Sequence, residues 1–128
     1  MRETVLDSGA ISYFAQSSGR AKALIAILTT EDMWPPVVPS AVLVECLTGH
    51  PEKDAKTNRF LKICDVRTTP SEVVARRAAK LRTEAGRGSA VDAIVVAAAE
   101  PGGLVVTGDT VDLSALAANA IDVAIESI

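Results

Sequence analysis

Residues 89–118 read SAVDAIVVAAAEPGGLVVTGDTVDLSALAA, and this stretch sets out the architecture of the whole chain. The apolar segment Ser89–Glu100 is followed by Pro101-Gly102-Gly103, as expected for a helix and its stop signal. Leu104–Thr107 is short and almost continuously apolar, which is typical of a strand buried on both faces. Val111–Ala118 then favours a short helix. The stretch therefore predicts a helix, a buried strand and a second helix in succession.

The rest of the chain shows the same alternation of short apolar segments with longer helical ones. Further strands are predicted at Val5–Asp7, within Trp34–Pro39, at Ile63–Arg67 and at Asp122–Ile125. Further helices are predicted at Ser8–Gln16, Ser18–Thr29, Ser40–Thr48, Glu52–Lys62 and, with Thr69 as the N-cap, up to Ala85. Apolar strands that alternate with helices indicate a parallel sheet covered on both faces. We therefore expect residues 1–128 to form a single α/β domain, a three-layer α/β/α sandwich with a central, mostly parallel sheet.

Composition limits the classes of function open to this chain. Its 128 residues are 48% hydrophobic and 23% charged, as expected for a globular domain. No apolar run approaches the length of about 20 residues that a membrane span requires, and the N-terminal residues lack the apolar segment of a signal peptide. Cys46 and Cys64 are too far apart for a CxxC motif and are expected to be free thiols. Free thiols predict a cytoplasmic location.

Four acidic residues interrupt or end apolar segments. They are Asp7, Glu45, Asp92 and Asp109. Burying an unpaired carboxylate is costly, so each of these residues needs a partner. Asp7 and Asp109 follow predicted strands, and sites in open parallel sheets form beyond the carboxyl ends of the strands. If the four acids converge at this edge, they provide the hard oxygen ligands that suit Mg²⁺ or Mn²⁺.

Helix capping is the competing interpretation for three of the four acids. Asp7 and Asp109 each precede a predicted helix and could be its N-cap, while Ser89-Ala90-Val91-Asp92 matches the capping-box pattern. Glu45 is too far into its predicted helix to cap it, and its neighbours are apolar. A metal site explains the convergence of all four acids better than four separate structural roles.

Four segments, taken in order, resemble the motifs of the PIN domain, and more narrowly those of VapC-type toxins of bacterial toxin–antitoxin pairs. The segments are Val5-Leu6-Asp7-Ser8-Gly9-Ala10, Pro39-Ser40-Ala41-Val42-Leu43-Val44-Glu45, Val91–Ala99 and Val105–Leu113. Together they extend over essentially the whole chain, with one acid in each of the first three and two in the last. Gly108 departs from the pattern, because members of the family often carry Ser at this position.

The resemblance implies a Mg²⁺- or Mn²⁺-dependent endoribonuclease that is cytoplasmic, homodimeric and inhibited by a cognate antitoxin. The metal ligands that it implies are Asp7, Glu45, Asp92 and Asp109. It also implies Asp112 as an auxiliary ligand and Thr107 and Ser8 as residues that orient carboxylates, a role that outer residues of metal sites commonly have. The antitoxin is expected in the groove between Ala10–Leu28 and Ala41–Leu61.

The net charge of −3 at first opposes binding of an RNA substrate. A cation held by the acids would invert the potential locally, however, and basic residues are concentrated in two segments. Arg87, close in sequence to Asp92, is the residue that we expect to contact an RNA phosphate. Two other functions stay open: a metal-dependent phosphohydrolase of small phosphate esters, and a non-catalytic binding module whose acids only cap helices. Gly9, two residues after Asp7, disfavours a covalent-aspartate phosphohydrolase, which expects an acid there.

Overall fold

The computed structural model describes residues 2–128, which form five strands and seven α-helices. The strands are β1 (Thr4–Leu6), β2 (Val37–Pro39), β3 (Asp65–Arg67), β4 (Leu104–Thr107) and β5 (Ala124–Ser127). The helices are α1 (Ser8–Ala15), α2 (Gly19–Thr30), α3 (Leu43–Cys46), α4 (Ala55–Leu61), α5 (Glu72–Ala85), α6 (Ala90–Ala99) and α7 (Thr110–Ala117), with a 3-10 turn (Ser40–Val42) before α3. No helix within residues 2–128 is long and apolar enough to cross a membrane.

All five strands are parallel and lie in the order β3-β2-β1-β4-β5. The central strand β1 pairs with β4 so that Leu6 lies opposite Val106. Asp7 follows Leu6 and Thr107 follows Val106, so both residues lie at the carboxyl edge of the sheet. Helices α2, α3 and α4 contact α1, while α5, α6 and α7 contact one another, and the sheet lies between the two groups. The predicted three-layer α/β/α sandwich with a parallel sheet is confirmed.

The core combines aliphatic side chains of the sheet with a small aromatic cluster. Val5 and Val105 on the central strands are completely buried, as expected for strands that are covered on both faces. Phe14 on α1 stacks on Phe60 with ring centroids 5.7 Å apart and meets Trp34 edge-on at 5.2 Å. Aromatic pairs with these geometries are favourable beyond their burial alone. The cluster thereby anchors α1, the helix that begins immediately after Asp7.

Strand β3 departs from the predicted apolar strands. Asp65, Val66 and Arg67 are all exposed, because β3 is an edge strand. Arg67 forms ion pairs with Glu3 and Asp65 on the same edge. Charged side chains on an edge strand discourage pairing with a further chain.

Two helix predictions are wrong in their details. The N-cap of α5 is Ser71, whose hydroxyl accepts a hydrogen bond from the backbone N–H of Val74, so Thr69 does not cap the helix. The helix predicted for Ser40–Thr48 is instead a 3-10 turn followed by the single turn of α3, which ends at Cys46. Short helices of this kind lack the sustained periodicity on which such predictions depend.

A largely buried ion pair joins α5 to the end of α6. Arg77 donates hydrogen bonds to both carboxylate oxygens of Glu100, each at 2.8 Å. Glu100 also accepts from the backbone N–H of Ile121 at 2.7 Å, and Arg77 donates to the carbonyl of Asn119 at 3.3 Å. The hydrogen bond from Arg77 holds the pKa of Glu100 below its ordinary value. We call this arrangement the Arg77–Glu100 clasp; it connects α5, α6 and the segment that follows α7.

The two cysteines, Cys46 and Cys64, are free, half-buried thiols. Burial raises the pKa of both thiols. The pKa of Cys64 is raised to about 12, mainly by burial and secondarily by the nearby Cys46. The thiolate, not the thiol, is the nucleophile in cysteine chemistry. At neutral pH neither residue is therefore a candidate for covalent catalysis.

Candidate metal centre

Asp7 follows β1 directly, and its side chain is buried. Its Oδ1 accepts a hydrogen bond from the backbone N–H of Ala10 at 2.8 Å, which makes Asp7 the N-cap of α1, and its Oδ2 accepts from the hydroxyl of Thr107. Burial raises the pKa of Asp7, and the charges of Asp92 and Asp109 raise it further, against the lowering by the two hydrogen bonds. A cation bound beside a buried carboxyl group that has acidic neighbours is strongly favoured, because it offsets their mutual repulsion.

Thr107 connects two of the carboxylate-bearing segments. It is the last residue of β4, is completely buried and donates its hydroxyl hydrogen to Asp7. The same hydroxyl oxygen accepts a hydrogen bond from the backbone N–H of Asp109 at 2.8 Å. Because a hydroxyl group can donate and accept at once, Thr107 fixes the end of β4 relative to the end of β1.

Three further carboxylates converge near Asp7. Oxygens of Asp92, Asp109 and Asp112 all lie within 4.8 Å of one another. Asp92 lies in the first turn of α6, Asp109 is the N-cap of α7, and Asp112 lies in the first turn of α7. The positive ends of two helix dipoles therefore meet at this point, and they favour negative charge there. We call Asp7, Asp92, Asp109 and Asp112 the acidic cluster.

Capping accounts for part of the hydrogen bonding of these acids. Asp109 accepts from the backbone N–H of Asp112 at 3.2 Å, and Asp92 completes a capping box with Ser89. Among the hydrogen bonds within residues 2–128, none is donated to Oδ1 of Asp92 or to Oδ2 of Asp109 and Asp112. The capping interpretation is thus correct locally, yet each of these three residues keeps one carboxylate oxygen without a protein donor. Oxygens of this kind are the ligands that Mg²⁺ and Mn²⁺ prefer, so the residues present fit such an ion.

The oxygens that lie within 4.8 Å of one another include none from Glu45 and none from Asp7; Asp7 is counted in the acidic cluster because the charges of Asp92 and Asp109 raise its pKa. Glu45 is exposed on α3, as is the preceding Val44, 82% of which is accessible to solvent. The 3-10 turn at Ser40–Val42 interrupts the regular helical repeat before α3 begins, so Val42 is buried while Val44 and Glu45 are exposed. Ser8 is half-buried and begins α1 directly after Asp7. The roles of Glu45 as a ligand and of Ser8 as an orienting residue stay predictions.

Arg87 reaches the acidic cluster from the loop between α5 and α6. Its Nε donates a hydrogen bond to Oδ1 of Asp112 at 2.7 Å, and its contact with an RNA phosphate stays a prediction. Of the ion pairs formed within residues 2–128, this is the one that involves the acidic cluster. One arginine cannot balance four carboxylates, so the cluster has an excess of negative charge.

The backbone at Gly108, between β4 and α7, faces open space. A Cβ atom placed on Gly108 would meet no other atom within 4 Å. The serine that the family resemblance leads us to expect at this position would therefore fit without steric conflict. The hydrogen bonds that hold Asp7 and Asp109 do not depend on a side chain at Gly108.

No model of a known protein family matches this sequence, and no curated protein matches it either. Among solved structures, the chain is similar to one in the crystal structure of VapBC2 from Rickettsia felis bound to a DNA fragment from their promoter. The two chains share 16% sequence identity and align with a TM-score of 0.74 over 98% of each chain. Likeness at this level of identity concerns the fold. The predicted PIN-like α/β/α fold is confirmed.

Proposed function

We propose that this chain is a metal-dependent endoribonuclease that acts as the toxin of a toxin–antitoxin pair. The observation that supports this most strongly is the convergence of Asp92, Asp109 and Asp112 near the buried Asp7. Helix capping alone requires no such convergence, since each cap is a local interaction. The likeness in fold to VapBC2 of Rickettsia felis also supports a toxin of this kind.

The residues proposed to hold Mg²⁺ or Mn²⁺ are the four members of the acidic cluster. When bound, such an ion lowers the pKa of a coordinated water and stabilises charge that develops on the phosphodiester oxygens. Thr107 keeps Asp7 oriented, and the ionised form of Asp7, which burial disfavours, becomes favourable beside a cation. The caps made by Asp92 and Asp109 hold those two carboxylates in place before any ligand arrives, so little reorganisation is needed.

We propose the groove between α1 and α4 as the binding surface of the antitoxin. It has a volume of about 210 Å³, and its lining includes Phe14, Ala15, Lys56, Arg59 and Ile63. Ile63 is more than half exposed. Apolar surface beside two cations suits an amphipathic helix that carries acidic residues. The homodimer that the family resemblance implies is tested separately, by light scattering of the purified chain.

The nuclease is tested by incubating the purified protein with total cellular RNA in Mg²⁺, in Mn²⁺ and in EDTA. We expect fragments in either metal, none in EDTA and none with Asp7→Asn, since that variant removes a ligand charge at nearly constant volume. Asp32→Asn is the matched control. Asp32 is exposed and has φ 59°, a left-handed conformation that Asn tolerates well, so this variant should cleave like the natural chain.

Lack of cleavage in every condition leads to a second measurement, calorimetric titration with Mn²⁺. Saturable Mn²⁺ binding that disappears in Asp7→Asn and persists in Asp32→Asn supports the metal centre. The lack of cleavage then indicates that the enzyme requires a specific RNA that the cellular pool did not supply in sufficient amount. The absence of any Mn²⁺ binding refutes the proposed function and leaves a binding module whose acids cap helices.

A further inference from the structure

A pocket open to solvent lies next to the acidic cluster, where α5 ends. Its volume is about 460 Å³, within the range of about 300–1,000 Å³ that is common for ligand clefts. Its lining consists of Arg82, Thr83, Gly86, Arg87 and Gly88. The pocket therefore contains two arginines, and one of them is Arg87, which contacts the acidic cluster through Asp112.

Two glycines determine the path of the loop that carries Arg87. Gly86 caps α5 in the left-handed conformation, with φ 67°, and its N–H donates to the carbonyl of Arg82 at 3.0 Å. Gly88 has φ 94°, and a Cβ atom there would lie 2.8 Å from a methyl carbon of Leu116. Both positions favour glycine, the first for its backbone conformation and the second also for the close packing against α7. Arg87 is thus held between two fixed points.

Both arginines are anchored through Nε, which leaves their terminal amino groups available. Arg82 donates from Nε to the carbonyl of Gly88 at 3.0 Å, and Arg87 donates from Nε to Asp112 at 2.7 Å. Within residues 2–128, no hydrogen bond involves the terminal nitrogens of either guanidinium. Paired N–H groups of this kind match the oxygens of a phosphate in a bidentate geometry.

We propose that this surface, the Arg82–Arg87 pocket, binds a phosphate of the RNA backbone adjacent to the phosphate that is cleaved; the proposal rests on the proposed nuclease function. The pocket carries two positive charges, and its ion pair with Asp112 balances one of them, which leaves the charge of Arg82. Its lining has no aromatic side chain on which a base could stack, so contact with the backbone is favoured over contact with bases.

Arg87 has two roles in this arrangement. It holds Asp112 through Nε and the phosphate through its terminal nitrogens, so it sets the position of the bound strand relative to the acidic cluster. Lysine keeps the charge but offers a single ammonium group on a flexible stem, and it cannot reproduce both contacts. Arg87→Lys is therefore expected to lose most of the effect of Arg87 although the charge is unchanged.

The test measures RNA binding in EDTA, where the proposed cleavage cannot occur. Fluorescence anisotropy is recorded with a labelled, mixed-sequence single-stranded RNA of about 12 nucleotides, within the site sizes common for such strands. We expect Arg82→Ala and Arg87→Ala each to weaken binding about tenfold, and to reduce the slope of log Kd against log salt by about 0.7 per lost phosphate contact. Arg76→Ala is the matched control, since Arg76 is exposed on α5, like Arg82, and its ion pair among residues 2–128 is with Glu72.

Thermal melts accompany each variant, so that a loss of binding is interpreted only where the fold is retained. The proposal that this pocket binds phosphate is refuted if Arg82→Ala, Arg87→Ala and Arg76→Ala show equal RNA affinities and salt slopes. Arg87 is then only an internal counter-charge for Asp112. This result is independent of the cleavage assay. If the protein cleaves RNA but the arginine variants bind RNA normally, the nuclease function stands without this pocket. If the variants bind RNA more weakly but no cleavage is seen, the phosphate site stands, and the Mn²⁺ titration decides the nuclease function.

Discussion

Removal of the Glu100 carboxylate is expected to destabilise the protein strongly. Only 9% of the Glu100 side chain and 28% of that of Arg77 are exposed, so Glu100→Ala leaves Arg77 without its counter-charge and the N–H of Ile121 without its acceptor. Breaking a buried ion pair by removing one partner costs about 3–5 kcal/mol, and the partial contact of Arg77 with water places this case at about 3 kcal/mol. In a domain of this size about 4 °C corresponds to 1 kcal/mol, so the Tm should fall by about 12 °C.

The same helix supplies the control for this experiment. Glu72 and Arg76 form an ion pair at 2.9 Å, but about four-fifths of each side chain is exposed. Urea unfolding of both single variants and the double variant of each pair gives two coupling energies. We expect about 2 kcal/mol for the Arg77–Glu100 clasp and about 0.3–0.5 kcal/mol for the exposed pair. Equal coupling energies would refute the argument that burial distinguishes the two.

The clasp also predicts a pH dependence with a definite sign. Its hydrogen bond from Arg77 lowers the pKa of Glu100 in the folded protein below the ordinary value of 4.5. A group of this kind contributes stability above the unfolded-state pKa, and that contribution is lost as the pH falls through the folded-state pKa. The free energy of unfolding should therefore fall more steeply below pH 4.5 in the natural chain than in Glu100→Gln. Parallel curves for the two proteins would contradict this account.

Three further predictions concern the metal, a thiol and the loop glycines. Mn²⁺ at about one hundred times its Kd should stabilise the chain by about 2.7 kcal/mol, and Asp92→Asn should abolish that shift in thermal melts made with and without EDTA. Cys64, whose pKa is raised to about 12, should be alkylated by iodoacetamide at pH 8 far more slowly in the native than in the urea-unfolded protein; equal rates would contradict its burial. Gly88→Ala should cost about 1–3 kcal/mol in urea unfolding because of its φ and its contact with Leu116. Gly108→Ala should cost less than about 0.5 kcal/mol, since its Cβ meets open space.

The parts of the site that follow from local sequence patterns could be predicted. Asp7 comes directly after β1, Asp109 lies two residues beyond the end of β4, and each directly precedes a helix. The carboxyl ends of parallel strands share one edge of the sheet. Asp92 was recognisable from the capping box with Ser89, which depends only on residues three apart. The order of strands and helices followed from the same alternation of short and long segments.

The parts that depend on packing between distant segments could not be predicted. Glu45 was expected to lie on a regular helix at the same edge of the sheet as the other acids. It is instead exposed on a helix of one turn that follows a 3-10 turn. Arg77 and Glu100 are 23 residues apart, and nothing in either local sequence identifies the other as its partner. Arg82 was missed for the same reason, because its place beside Arg87 results from the left-handed turn at Gly86. The Gly-Arg-Gly pattern after a helix was the available signal.

The hydrogen bond from Thr107 to Asp7 joins residues that are one hundred positions apart. Proteins are synthesised from the N-terminus at about 5–20 residues per second, so Asp7 leaves the ribosome at least several seconds before β4 exists. Until then β1 lacks its neighbour β4 in the sheet, and Asp7 has neither Thr107 nor the carboxylates of Asp109 and Asp112 beside it. A nascent chain that ends before residue 107 is therefore unable to assemble the acidic cluster. The topology therefore delays assembly of the acidic cluster until β4 and α7 have been synthesised.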